Sequence, residues 1–179
     1  MCPQQGGVLH LDGIQYPFGA IEINSYLKDW GAIRSVAFSP SHLFFYEMNE
    51  IEKRIWFATD QPLAAMERQA GMGPCITLMS GGRPFVSWGI ILLTKTSAEM
   101  WLAADEELLR DNSRPFLRIA RRTLDEIGPA MGLLRVQFTI AKGYHDGIRF
   151  AEWLKFETEG TLRRFAPDGS DCLMMSRIY

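Results

Sequence analysis

Residues Tyr144–Phe165 read YHDGIRFAEWLKFETEGTLRRF. Phe150, Ala151 and Leu154 recur at helical spacing with Ile148 beside them, so the stretch starts as a short amphipathic helix. Lys155–Phe156 closes the helix, and Glu159–Gly160 leads into an expected strand, Thr161–Phe165. One apolar stripe followed directly by a strand has to dock on a layer built elsewhere in the chain.

The flanking sequence supplies that layer. Upstream, Leu134, Val136, Phe138 and Ile140 alternate with Arg135, Gln137 and Thr139, the pattern of a strand with one covered face. Before it, Phe116, Ile119, Ala120, Thr123, Leu124 and Ile127 share one face of a helix, with Arg118, Arg121, Arg122, Asp125 and Glu126 opposite. Ser113 is placed to cap this helix and Gly128–Pro129 to end it. Asp105–Asp111 reads as a charged connection. Further back lies a β-meander: Cys75–Met79, Pro84–Leu93 and Glu99–Ala104, with Gly81–Gly82 as a hairpin signal. Ala32–Phe38 reads as a strand stopped by Ser39–Pro40. Ser41–Asp60 has helical periodicity, and Pro62 opens a further helix, Leu63–Ala70. Residues 1–31 are punctuated by glycine and proline. They read as an irregular arm with at most short strands, near Val8–Leu11 and Ala20–Ile23, ahead of one domain at 32–179. The chain ends with the turn Ala166–Gly169 and the strand Cys172–Ile178. This order predicts an α+β fold, a mixed twisted sheet of six to seven strands with helices on both faces.

Of 179 residues, 47% are hydrophobic and 22% charged, with net charge −2. No basic field points to nucleic acid or an anionic membrane. Three cysteines without CxxC spacing argue against a disulfide framework or zinc site and for a reducing compartment. His10 and His42 are isolated, so no cluster has metal-ligand spacing. The longest apolar run, near Trp88–Leu93, is too short to span a bilayer. The opening residues lack a signal-peptide pattern, and a cytoplasmic protein is expected.

The element order resembles the GNAT (Gcn5-related N-acetyltransferase) fold over roughly residues 40–179. In the opening stretch Ile148, Arg149, Phe150, Leu154, Phe156, Glu159 and Gly160 match a pattern frequent in that family. Arg163, Asp168–Gly169 and Asp171 are similar to the tail of its ribosomal-protein-acetylating branches. Met48–Glu52, Trp101–Leu102 and Phe116–Arg122 resemble GNAT-like proteins of tailed bacteriophages, including internal virion proteins. The resemblance implies acetyl-CoA as cofactor and an amine-bearing small molecule or protein as acceptor. For a phage protein the partners would be phage structural or host proteins, in the host cytoplasm or virion.

The resemblance also assigns residues. Backbone groups of Met100, Trp101, Leu102 and Ala103 would hold the pantetheine arm. Arg110, Arg114 and Tyr144 would contribute to cofactor binding, and Glu99 or Glu106 would act as base. Trp88, Trp101 and Trp153 read as core residues. Glu50 and Glu52 fall where the family lines its acceptor side, but the reading preferred from the sequence is a polar helix face paired with Lys53 or Arg54. The arginines at 110, 114, 118, 121 and 122 form a stripe that could grip phosphates or an acidic partner, or simply face solvent. Two departures stand against activity. The family's glycine-rich phosphate loop corresponds to Ala104–Arg114, which has no glycine and four acids. The family's Asn and Tyr positions hold Tyr144 and Ala151. A non-catalytic GNAT-like protein is the competing reading.

Overall fold

A computed structural model of the chain describes residues 9–11, 14–16 and 32–179. Leu9–Leu11 (β1) and Ile14–Tyr16 (β2) pair as a small hairpin. The expected strand at Ala20–Ile23 lies outside the described residues, as does Trp30. Ile33–Ala37 (β3), Cys75–Ser80 (β4), Arg83–Leu92 (β5), Ser97–Ala104 (β6), Arg135–Ala141 (β7), Glu157–Leu162 (β8) and Cys172–Ile178 (β9) form one seven-stranded sheet. Their order is β3-β4-β5-β6-β7-β9-β8, and only β6–β7 is parallel. The α+β mixed sheet read from the sequence is present.

Apolar runs without alternation make β4 and β5 central strands, because each face is covered by a different set of helices. On one face Ile76, Leu78, Val86, Trp88 and Ile90 pack against Ser113–Arg122 (α4) through Phe116 and Ile119. His145–Trp153 (α5) closes the same core with Ala151, and Leu154 and Phe156 follow it inward. On the other face Cys75, Trp101 and Ala103 meet Phe38, Leu43 and Tyr46, with Trp56 of Glu50–Ala58 (α1) and Leu63 and Met66 of Pro62–Gly71 (α2). Buried hydroxyls on this face form a chain. Tyr46 Oη lies 2.6 Å from Ser87 Oγ, and Ser87 Oγ lies 2.7 Å from Thr77 Oγ1. Thr77 Oγ1 in turn lies 2.8 Å from His42 Nδ1. The Ser39 amide also donates to His42 Nδ1, so that nitrogen accepts and Thr77 donates to it. Burial holds the His42 imidazolium pKa below its ordinary value, in keeping with the neutral ring this chain requires.

The structure corrects several sequence expectations. Ser41–Asp60 is not one helix. A 3-10 turn at Pro40–Phe45, capped by Ser39, gives way to an extended link, and Asn49 then caps α1. Asp105–Asp111 is not a loop but a helix, Glu106–Asp111 (α3), because Asp105 caps it and Leu108 and Leu109 pack on the main core. Gly128–Pro129 does not end α4. The helix widens into a π turn at Thr123–Ile127, then a last turn at Gly128–Ala130. The widening lies just ahead of Pro129, which has no N–H for a regular helical bond. The strand expected at Thr161–Phe165 is β8, which ends at Leu162, where Arg163–Arg164 turn with Arg164 at φ 50°. Trp153 is not a core residue. It is 44% exposed, with the Arg121 guanidinium 5.3 Å above its ring. Among the described residues no helix is long and apolar enough to cross a membrane.

Candidate active site

The parallel pair β6–β7 holds for three residues, Ser97–Glu99 against Arg135–Gln137. Beyond them the strands part. β6 stays paired with β5 as far as Ala104, and the Asp105 amide then donates to Phe85 O at 2.9 Å. β7 stays paired with β9 as far as Ala141, and the Lys142 amide donates to Asp171 O at 2.9 Å. Each strand end is anchored to its own antiparallel neighbour, so the sheet's twist opens between Met100–Ala104 and Phe138–Ala141. The gap is a cleft of about 470 Å³ that passes through the sheet. Met100, Leu102, Phe138 and Ile140 line its strand walls. α1 and α3 close one rim through Ile51, Glu52, Ile55, Glu106 and Arg110, and α4 and α5 the other through Ser113, Phe116, Tyr144 and Phe150.

Asp105 builds the polar rim. Its carboxylate is 1% exposed and accepts from Leu108 N (2.8 Å) and Glu47 N (3.1 Å), with Arg83 at 3.6 Å. The Glu106 amide donates to Glu47 O at 2.9 Å. The end of β6 is thereby tied to both α3 and the segment entering α1. Asn49 then orients α1. Its Oδ1 accepts from Ile51 N and Glu52 N, and its Nδ2 donates to Glu52 Oε2 at 2.8 Å.

The two glutamates of α1 separate. Glu50 is solvent-facing and pairs with Lys53 at 2.9 Å. Glu52 turns into the cleft, where burial pushes its carboxyl up to about 7; the Asn49 hydrogen bond opposes the rise and the Glu106 charge adds to it. Tyr144 faces the same space. Its phenol is pushed up to about 12, first by burial and then by the Glu52 and Glu106 charges, so it stays a neutral O–H. Gly147 makes room for that ring: a Cβ there would come within 2.7 Å of the Tyr144 ring and of Ile140. A carboxyl that titrates near neutrality, beside a neutral phenol in a concave apolar site, can take and return protons at pH 7.

Of the residues singled out in the sequence, the cleft gathers Glu99, Met100, Trp101, Leu102, Glu106, Arg110 and Tyr144. Ala103 does not line it but faces an adjoining hollow. Arg114 lies apart, in a surface hollow beside Ala32, Ser80 and Asp111. The arginine stripe is largely engaged: Arg110 pairs with Glu106, Arg121 with Asp125 and Arg122 with Glu126. Glu52 is the residue whose environment the sequence left open. Asn49-x-x-Glu52 has the spacing of a cap reaching its third helical residue, and that signal ties Glu52 to the start of α1.

No protein-family model matches the chain, and no curated protein sequence matches it. Solved structures do. Ard1 from Thermoplasma volcanium superposes with a TM-score of 0.65 at 17% identity, covering 82% of this chain and 97% of that one. The fold is that of the GNAT acetyltransferases. The microcin C7 self-immunity acetyltransferase MccE, solved with acetyl-CoA and AMP, matches this GNAT fold at 0.62 and 10% identity, covering 88% and 95%. The ribosomal-protein-S5-alanine acetyltransferase of Vibrio fischeri matches at 0.59 and 11%, covering 84% and 94%.

The two halves of a CoA thioester would meet different surroundings in this cleft. The edge of Met100–Ala104 that turns away from β5 has no β7 ladder beside it, which suits an extended amide-bearing arm. An anionic half at α3 would meet an acidic first turn, Glu106 and Glu107, and not a glycine loop. Asn112, ahead of α4, turns its carboxamide back to Leu108 O and accepts from Ser80 Oγ, and gives α4 no side-chain cap. The arm fits the cleft better than the diphosphate does.

Proposed function

We propose that the protein is an N-acetyltransferase that transfers acetyl from acetyl-CoA to a primary amine. The observation that carries this reading is the position of Glu52, a carboxyl raised to about 7 inside a cleft between splayed parallel strands. The CoA thioester would supply an activated acetyl group. The chain's own part is to bind and to move protons. Main-chain groups of Met100–Leu102 hold and orient the arm, and apolar Phe138, Ile140 and Phe150 keep water out. Glu52 takes a proton from the bound ammonium so that the free amine can attack the thioester carbonyl, and Glu106 raises its basicity. As the C–N bond forms and the C–S bond breaks, Tyr144 O–H would donate a proton to the sulfur, so that CoA leaves as the thiol. Glu99, the last residue of β6 paired with β7, stands where the two strands begin to part.

A second reading is favoured by one observation, the helical and acidic α3 in place of a glycine loop. On it, the chain is a non-catalytic GNAT-fold protein that meets phage structural or host proteins. Release of CoA thiol from acetyl-CoA, followed with a panel of primary amines, separates the two. Amine-dependent release that declines below pH 7 supports the enzyme. Release no faster than in buffer, at millimolar acetyl-CoA with every amine, overturns it.

A further inference from the structure

We infer that the acceptor carries its primary amine one or two methylenes from a neutral apolar or aromatic group; this rests on the acyl-transfer reading above. A second hollow of about 340 Å³ adjoins the cleft on the α1–α2 side of the sheet. Glu52, Ile55, Gln69, Leu102 and Ala104 line both spaces, so the Glu52 carboxyl stands at their junction. The hollow's other walls include Met48, Trp56, Pro62, Met66 and Pro167. Among the residues lining it, Glu52 alone carries a charge.

One carboxyl at the mouth of an apolar hollow matches one ammonium on an apolar body. A polyamine would leave its further ammonium groups against methionine and tryptophan with no counter-charge, which is costly. Of the other cleft acids, Glu106 is paired with Arg110 and Asp146 with Arg149, and Glu99 lines the cleft but not the hollow. Methionine and tryptophan walls adapt to flat or branched apolar groups, and the volume suits one such group. The reach from the hollow to the cleft passes Glu52, so an acceptor seated here presents its nitrogen to the thioester side. The amine could belong to a free arylalkyl amine or to the first residue of a peptide; the chemistry recognised is the same.

The test is a comparison of kcat/KM with the full chain at saturating acetyl-CoA. The acceptors are 2-phenylethylamine, a short peptide beginning with Phe, and spermidine. One of the two apolar-headed acceptors is expected to exceed spermidine by about tenfold or more, and the better of them names the source. Spermidine equal to or better than both overturns the inference. Met66→Glu places a charge in the hollow, and Ala65→Phe narrows it without one. Each is expected to raise KM for the preferred acceptor about tenfold, with acetyl-CoA affinity by calorimetry unchanged. An unchanged KM in a folded variant overturns the assignment of the hollow. Loss of the acyl-transfer reading has a different signature, no acetyl-CoA binding by the unmodified protein, and the inference falls with it.

Discussion

α5 and α1 flank the same cleft as short helices of nine residues each, and they are held there by different forces. α5 is fixed by burial. Ala151, and Leu154 and Phe156 just beyond it, are each 2% exposed, and Phe150 stacks on Phe116 at 5.3 Å. α1 buries no residue fully. Its Asn49 cap, the Arg54–Asp168 ion pair to the β8–β9 turn and the edge of the smaller core around Trp56 hold it in place. The firmly packed side of the cleft is therefore apolar, and the side that carries the proposed base is polar. Each should fail in its own way: damage to α5 shows in stability, damage to α1 in turnover.

The sharpest separation comes from Glu52→Gln. Removing the base is expected to lower kcat/KM by about 10²–10⁴-fold, read by CoA release, with the fold intact. The unmodified protein should show an acid limb in kcat/KM, falling below an apparent pKa near 7, that the variant lacks. Stability carries the matching sign. A carboxyl raised in the folded state favours folding while protonated. Its contribution is present below the ordinary carboxyl range, near 4.5, and is lost as pH rises through about 7. Between those values the unmodified protein should lose on the order of 2–3 kcal/mol relative to Glu52→Gln, in urea titrations at several pH values.

On the other side, Leu154→Ala is expected to cost about 2–5 kcal/mol in denaturant unfolding, because the cavity sits under well-packed Phe156 and the main core. Amine-dependent turnover of the fraction still folded should change little. Asp105→Ala tests the joint between the two sides. It removes the α3 cap and leaves Glu47 N without its buried acceptor, for a loss of about 1–3 kcal/mol. Lys155→Gly runs the other way. Lys155 sits at φ 66° where α5 turns into β8, and glycine there should gain up to about 1 kcal/mol. Glu50→Gln is the smallest change. It breaks an exposed pair with Lys53 and should move stability by less than about 0.5 kcal/mol and turnover hardly at all.

The same contrast explains what could be read from the chain alone. Ile148, Phe150, Leu154 and Phe156 announce themselves by spacing because burial is periodic, and β7 alternates for the same reason. Lys155 hides its role. Lysine carries no turn signal, yet the backbone takes the left-handed turn that glycine favours. α3 was obscured by its acids, while the capping Asp105 and the Leu108–Leu109 pair that make it a helix are only two local cues. Glu52 and Tyr144 meet only through the fold. Their shared environment depends on where β6 and β7 part, and no local pattern encodes that divergence.

The account stands on the cleft being a site for acetyl-CoA, and the most direct measurement is the melting temperature of the full chain across an acetyl-CoA series. A ligand bound by the native state alone must stabilise it by an amount that grows with the logarithm of concentration above Kd. The predicted result is a rising melting temperature that Glu52→Gln preserves, since the role proposed for that residue is toward the amine and not the thioester. A flat curve up to millimolar acetyl-CoA would contradict the account.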